Sequence, residues 1–301
     1  MGKIAKKLLE IIKIMFIVFF TLVVGCGIYF LAHITNKDLE VELYKVNAII
    51  EAPIRILQLS DLHCSEFGDN NTELIELVKK QSPDIILMSG DMINRDDDDI
   101  SVALNLISSL KEIAPVYYGH GNHEYMWMER TGTDLRHSIT AAGAVLLDNE
   151  FVDIEVKGNQ LRIGGYMGYY RIPWMFKRTE EETKEEYTFF DNFENTDRYK
   201  ILINHIPTQW VDWDYTQHPV NLVFSGHYHG GQWVLPGIGG VYAPYIGFNP
   251  PFVKGVYHGK YATCVLSAGL GNEYSYLPRV NNPPEVVVVD LVPKNESKNN
   301  E

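Results

Sequence analysis

Cysteine is scarce in this chain of 301 residues: Cys26, Cys64 and Cys264 are the whole supply, and no two share a C-x-x-C spacing. That argues against a zinc knuckle and against a disulfide framework. Positive charge is also short beyond the N-terminus. Lys3, Lys6, Lys7 and Lys13 against Glu10 give the first thirteen residues +3, so with a formal total of −13 everything after them sums to −16. An acidic body lacks the basic surface that displaces phosphate counterions, so general nucleic-acid binding is not expected. The acidic run Asp96–Asp99 lacks the spaced ligand-and-glycine pattern of a calcium loop and reads as an exposed loop. No internal repeat is present.

Charge is missing altogether from residues 14 to 34, IMFIVFFTLVVGCGIYFLAHI. At a rise of ~1.5 Å per residue such a helix spans about 30 Å, the hydrocarbon thickness of a bilayer. Its uniform apolarity lacks the polar face of a docked soluble helix. A cleaved signal would carry a shorter apolar core and a small-residue exit. The lipoprotein-like Val23-Val24-Gly25-Cys26 is followed by further apolar residues, Gly27 to Leu31. An uncleaved transmembrane anchor is therefore expected. Lysines before it, and Asp38, Glu40 and Glu42 after it, place residues 1–13 in the cytoplasm and the rest on the extracytoplasmic side.

Residues 35–52 read as a stalk with a first strand, Val41 to Ile50. From residue 53 to 293 short apolar runs alternate with helical spacing, which predicts a layered α/β domain. The runs are Ile54–Leu59, Ile85–Met88, Val116–Tyr118, Ile201–Ile203 and Leu222–Phe224; the helices are Asn71–Gln81, capped by Asn71 or Thr72, and Ile100–Ile113. Glu180–Glu186 reads as a solvated helical face, and 294–301 as a disordered tail.

Each of those five runs ends in residues able to bind metal: Asp61 and His63, Asp91, Asn122 and His123, His205, and His227 with His229. Strands that end in polar ligands gather them at one edge of a sheet. In D-x-H and H-x-H the outer residues point the same way from an extended chain. Gly90, Gly121 and Gly226 fit tight strand exits. Four imidazoles, two carboxylates and an amide oxygen suit Mn, Fe or Zn, not an all-oxygen cage. Seven ligands are too many for one tetrahedral site and sensible for two divalent ions bridged by a carboxylate.

Those blocks, D-x-H, G-D, G-N-H-E, an isolated His and G-H-x-H, run in order from Asp61 to His229. The chain resembles the calcineurin-like metallophosphoesterases. Gly226–Gln232 and Leu277–Glu285 look like a bacterial membrane-anchored phosphodiesterase subgroup. The resemblance implies a four-layer α/β/β/α sandwich. It implies that Asp61, His63 and His229 hold one ion, that Asp91 bridges, and that Asn122, His205 and His227 complete the other. His123 would stand beside the metals as the acid to the leaving oxygen. The implied activity is phosphodiester hydrolysis by a water activated between two cations, with a lipid- or envelope-linked ester suited to an anchored enzyme. A pyrophosphatase acting on a nucleotide-linked lipid and a silent membrane-tethered binding module are the alternatives. Oligomeric state is left open.

Arg279 either neutralises a phosphate or forms a surface ion pair, and His120 either holds a ligand by hydrogen bond or is a plain strand-end residue. Gly230 and Gly231 either admit substrate to the backbone or form a turn. Tyr242, Tyr245, Tyr257, Tyr261, Tyr274 and Tyr276 either line a sugar pocket or pack the core, and packing explains most of them better.

Overall fold

A computed structural model describes residues 2–35, 39–167, 180–211, 218–272 and 277–294. Tyr274, Tyr276, residues 36–38 of the stalk and 295–301 of the tail lie outside the described residues.

The first sheet is built from β1 (Glu40–Ala48), β2 (Ile54–Leu59), β3 (Ile85–Ser89), β4 (Val116–Gly119) and β5 (Val145–Leu147). The second begins with β6 (Glu150–Val156), β7 (Asn159–Gly165), β8 (Tyr199–Ile203) and β9 (Leu222–Ser225). Two hairpins follow, β10 (Val234–Leu235) with β11 (Gly239–Gly240), and β12 (Tyr242–Ala243) with β13 (Gly247–Phe248). The chain then adds β14 (Gly255–His258) and β15 (Thr263–Leu266) to the second sheet and returns β16 (Glu285–Pro293) to the first. The helices are α1 (Lys3–Ala32), α2 (Thr72–Gln81), α3 (Ser101–Leu110), α4 (Asn122–Thr131), α5 (Arg136–Ala142), α6 (Glu180–Glu194) and α7 (Thr208–Val211).

Strand order is β1-β16-β2-β3-β4-β5 in one sheet and β14-β15-β9-β8-β7-β6 in the other. Within them β2, β3, β4 and β5 run parallel, as do β7, β8, β9 and β15. Of these, β3, β4 and β9 read as near-continuous apolar runs because both faces are covered. The two-residue period then sorts each strand between two cores. In β2, Leu57 and Leu59 face α2, α3 and α5, while Ile54 and Ile56 face the other sheet. In β8, Ile201 and Ile203 meet the first sheet and Leu202 meets Phe190 and Phe193 of α6. Three apolar interfaces separate four layers, the α/β/β/α sandwich that the resemblance implied.

The helix over 71–81 starts one residue later, and its expected cap differs. Asn71 sits in left-handed backbone and makes no side-chain cap bond; its Oδ1 instead accepts from the Phe67 amide at 3.0 Å. α1 includes Lys6–Ala32, one stretch long and apolar enough to cross a bilayer.

Candidate metal centre

Every strand that ends in a ligand candidate ends at the same rim, but that rim belongs to two sheets rather than one. β2, β3 and β4 deliver Asp61, His63, Asp91, Asn122 and His123; β8 and β9 of the other sheet deliver His205, His227 and His229. The expectation of a single sheet edge is thus corrected. Parallel neighbours within each sheet end together, and face-to-face packing brings the two sets of ends into one cup.

The chain leaves those strands in strained form. Asp61, His63, Asp91, His227 and His229 have φ of 52°, 48°, 53°, 72° and 47°. The D-x-H and H-x-H pairs therefore do not point alike from an extended chain, as alternation predicted. They converge because each ligand lies in left-handed backbone, a conformation that costs on the order of 1–3 kcal/mol per residue and persists where surroundings enforce it. The glycines also act differently from expectation at two of three positions. Gly90 does turn at φ 89°, but a Cβ on Gly121 would overlap Asp91, and one on Gly226 would overlap Ser60 and Asp61. Those two are needed for space beside the carboxylates.

Ligand atoms of Asp61, His63 and His229 lie within 4.8 Å of one another, and so do those of Asp91, His205 and His227. Asp91 also groups with His63 and His123 at that distance, so it reaches toward both clusters. All eight side chains are buried. Buried polar atoms are normally hydrogen-bonded, yet His63 Nε2, His227 Nε2 and Asn122 Oδ1 have no hydrogen-bond partner. Those are the atoms a cation would use. The opposite nitrogen of His63 is held by Asn94 Oδ1 at 2.8 Å, and that of His205 by the Ser89 carbonyl at 2.7 Å, which orients both rings.

Charge tells the same story. Burial holds the pKa of His63 and of His227 well below normal, with the neighbouring imidazoles adding to it, so both are neutral donors. Burial alone would raise the Asp91 pKa; His205, His123 and His63 reverse that and draw it well below the ordinary carboxylate value. Burial likewise opposes charge on His205, but Asp91 and Asp61 outweigh it and lift its pKa to about 10. His205 Nε2 then stands 2.9 Å from Asp91 Oδ2 as an ion pair. A site that recruits a proton between two buried carboxylates is one that favours cations there.

Several residues that hold this cup were not singled out in the sequence. Glu124 is fully buried, and its carboxylate accepts from the amides of Gly121, Asp91 and Met92 at 2.7, 2.9 and 2.8 Å, and from the Tyr118 hydroxyl at 2.7 Å. It ties the Asp91 loop to the start of α4. Its signal was an acid three residues after Gly121, the spacing of a helix capping box. Gln58 interrupts an apolar strand; its amide donates to Ser89 Oγ at 2.7 Å and to the Ser225 carbonyl at 2.8 Å, joining the sheets behind the ligands. The Arg95 amide donates to His123 Nδ1 at 3.1 Å, which leaves Nε2 as the proton-bearing atom of the neutral ring.

Gly226–Gln232 and Leu277–Glu285 prove to be partners. Asn282 donates to the His229 carbonyl at 2.7 Å, and Gln232 to the Leu277 carbonyl at 3.0 Å. Arg279 is fully buried and donates to the carbonyls of Ala268 and Gly271, both at distances below 3 Å. It is no surface ion pair; it braces the loop after β15, where Gly269 lies so close that a Cβ would fall 2.6 Å from Asp61 Cβ. Gly230 and Gly231 make a turn at φ 61° and 79°, packed on Asn282 and Gly240. His120 bonds no ligand: its ring is buried against Tyr118 and Tyr125, with Asp148 3.8 Å away. Of the tyrosines, Tyr245 alone among the described residues has a ring near a ligand candidate, 4.8 Å from that of His227. Burial pushes the Cys64 thiol up to about 12, so the cysteine beside His63 is inert as a nucleophile.

Comparison with known proteins shows the family. Residues 54–231 match the calcineurin-like phosphoesterase family, more than half of the chain. The uncharacterized metallophosphoesterase YkoQ of Bacillus subtilis is 28% identical over 263 residues, 85% of this chain and 91% of that protein. The phosphodiesterase YaeI of Escherichia coli is 28% identical over 257 residues, 83% of this chain and 85% of that protein. Among solved structures, the phosphopantetheinyl hydrolase of Mycobacterium tuberculosis overlays with a TM-score of 0.47 at 12% identity, covering 81% of this chain and 98% of that one. With buried, cation-seeking ligands at the rim of a four-layer sandwich and a family match across them, the chain belongs to the calcineurin-like phosphoesterases and is a metal-dependent hydrolase of phosphate esters.

Proposed function

We propose that the chain is a membrane-anchored phosphodiesterase with a two-cation centre. One observation carries the reading: donor atoms of His63, Asn122 and His227 are buried without hydrogen-bond partners, and His63 and His227 each place a ligand atom within 4.8 Å of an Asp91 carboxylate oxygen. Asp61, His63 and His229 would hold one ion, and Asn122, His205 and His227 the other. Asp91, which groups with His63 as well as with His205 and His227, would be the carboxylate shared between them. Mn, Fe or Zn suits this mixture of imidazole, carboxylate and amide. Two such ions supply an activated water and neutralise charge on the phosphoryl oxygens.

The protein's own groups do the rest. Glu124 fixes the Asp91 and Gly121 amides so that the carboxylate and Asn122 keep their positions. The Arg95 amide donates to His123 Nδ1 and fixes the ring, and His123 Nε2–H would stabilise the departing oxygen by hydrogen bond. YaeI is named a phosphodiesterase and spans nearly the same length, which favours a diester over a monoester.

The anchor is residues 14–34, with 1–13 cytoplasmic, 35–52 a stalk and first strand, and 53–293 the catalytic domain on the extracytoplasmic side; charge asymmetry around α1 supports that orientation. The test is hydrolysis of bis-p-nitrophenyl phosphate by the purified chain with Mn²⁺, Fe²⁺ or Zn²⁺, with bound metal measured in parallel. Turnover with two ions per chain is expected. Bound metal without turnover of any mono-, di- or pyrophosphate ester would identify a silent binding module instead.

A further inference from the structure

The hairpins β10–β11 and β12–β13 lie between the end of α1 and the metal cup. At one side, the Phe30 ring of α1 meets Trp233 edge-on at 5.0 Å, Ile34 bridges to Val280, and the Thr35 amide donates to the Arg279 carbonyl. Val234 in turn donates to the Val280 carbonyl, and Val241 to the Trp233 carbonyl, so both hairpins start beside that exit. At the other side, the turn between β12 and β13 carries Tyr245 to His227. A single strip of chain thus runs from the end of the apolar helix to a ligand candidate.

Its outer surface is apolar and uncovered. Phe248 is 82% exposed, Ile238 61% and Tyr242 45%, with the Phe248 and Tyr242 rings edge to face at 5.5 Å. We propose that these two hairpins are a membrane-docking surface: Ile238, Tyr242 and Phe248 enter the headgroup–acyl boundary beside the exit of α1 and turn the metal cup toward the bilayer surface. The proposal rests on α1 being a membrane span.

Three considerations select lipid over another occupant. The surface is continuous with the end of α1, so the same bilayer that receives the helix lies alongside it. Aromatic rings with a polar handle, such as Tyr242 and Trp233, favour the depth of the lipid headgroups. The three side chains expose roughly 400 Å² or less, about half of the ~800 Å² per partner that a stable protein interface buries. Electrostatic attraction to an anionic leaflet cannot supply the contact, because the chain after residue 13 carries −16. Apolar insertion remains. A cup held this way would meet phosphate esters presented at the level of lipid headgroups.

The experiment uses the full chain in phosphatidylcholine–phosphatidylglycerol vesicles containing a lipid with a photoactivatable diazirine in its acyl chain. Labelled peptides are mapped by mass spectrometry, and hydrolysis of soluble bis-p-nitrophenyl phosphate is followed in the same preparation. Label is expected on α1 and on peptides covering 234–250, and not on peptides holding Ile49 or Tyr187, which are 84% and 60% exposed. The double variant Ile238→Asp, Phe248→Asp should lose the hairpin label while keeping that of α1 and the soluble-ester activity. Labelled α1 with unlabelled hairpins, equal label at Ile49 and Tyr187, cross-linking of the hairpins to a second copy, or an unlabelled α1 would each overturn the proposal. Absence of ester hydrolysis with hairpin labelling intact would sink the phosphodiesterase reading instead.

Discussion

The two sheets contribute unlike chemistry to the cup. The first supplies every oxygen ligand candidate, Asp61, Asp91 and Asn122, with His63; the second supplies imidazoles only, His205, His227 and His229. The support differs as well. On the first side side chains hold the ligands in place: Asn94 holds His63, and Glu124 holds the Asp91 amide. On the second, the Ser89 carbonyl holds the His205 ring, and the Asn282 side chain holds the His229 backbone by donating to its carbonyl. Carboxylates on one wall and imidazoles on the other favour a positive charge between them. His205, lifted to about 10 by the facing carboxylates, is the protein's own substitute for that charge.

Breaking the anionic wall should have the largest effect. Asp91→Asn removes the charge shared by both groups, and loss of both ions with a fall in kcat/KM on the order of 10³-fold or more, ~4 kcal/mol, is expected. Elemental analysis with bis-p-nitrophenyl phosphate kinetics checks it; two retained ions at a normal rate would remove Asp91 from the bridging role. Next is His123→Gln, which spares the ligands. It should lower kcat about 10²–10⁴-fold while the bound metal stays unchanged. Metal loss in that variant would make His123 a ligand, as its grouping with His63 and Asp91 permits.

Asn94→Ala sharpens the contrast in support. Freeing the His63 ring should weaken metal affinity about 10–100-fold, measured by chelator competition. The carbonyl of Ser89 has no side chain to delete, so the His205 ring offers no equivalent variant. The smallest effect lies away from the cup. A hydrogen bond from Arg55 holds the Asp290 carboxyl below its usual pKa. A depressed carboxylate stabilises the fold above its unfolded pKa and loses that contribution as pH falls through its folded one. The pair is partly exposed, so Asp290→Asn should cost about 1 kcal/mol or less at neutral pH and nothing in acid, read from thermal melts across pH.

Much of the cup was legible because metal ligands are few in kind and sit directly after apolar runs. Each of Asp61, His63, Asp91, Asn122, His205, His227 and His229 could be named without knowing what faced it. The supports were harder to see. Glu124 belonged to the quoted G-N-H-E block, yet its amide partners lie on two loops some thirty residues apart in sequence. Gln58 sits inside an apolar run with nothing to single it out, and Arg279 reads as a phosphate clamp or a surface ion pair, since a charged residue gives no sign in sequence that it will be wholly enclosed. The strands β5, β6 and β7 escaped individual notice because their alternation is weak or their runs are short. The left-handed ligand backbone had no sequence signal beyond the tolerance of Asp and His for it.

Composition and local pattern alone determined the apolar N-terminal helix, the layered α/β class and which side chains are candidates to bind metal, because those follow from short-range periodicity and side-chain chemistry. Only the tertiary structure decided that two sheets share one rim, that His205 faces Asp91, and that the hairpins join the end of α1 to His227. Such relations join residues far apart in the chain, and they exist only once parallel strands end together and two apolar faces close on each other.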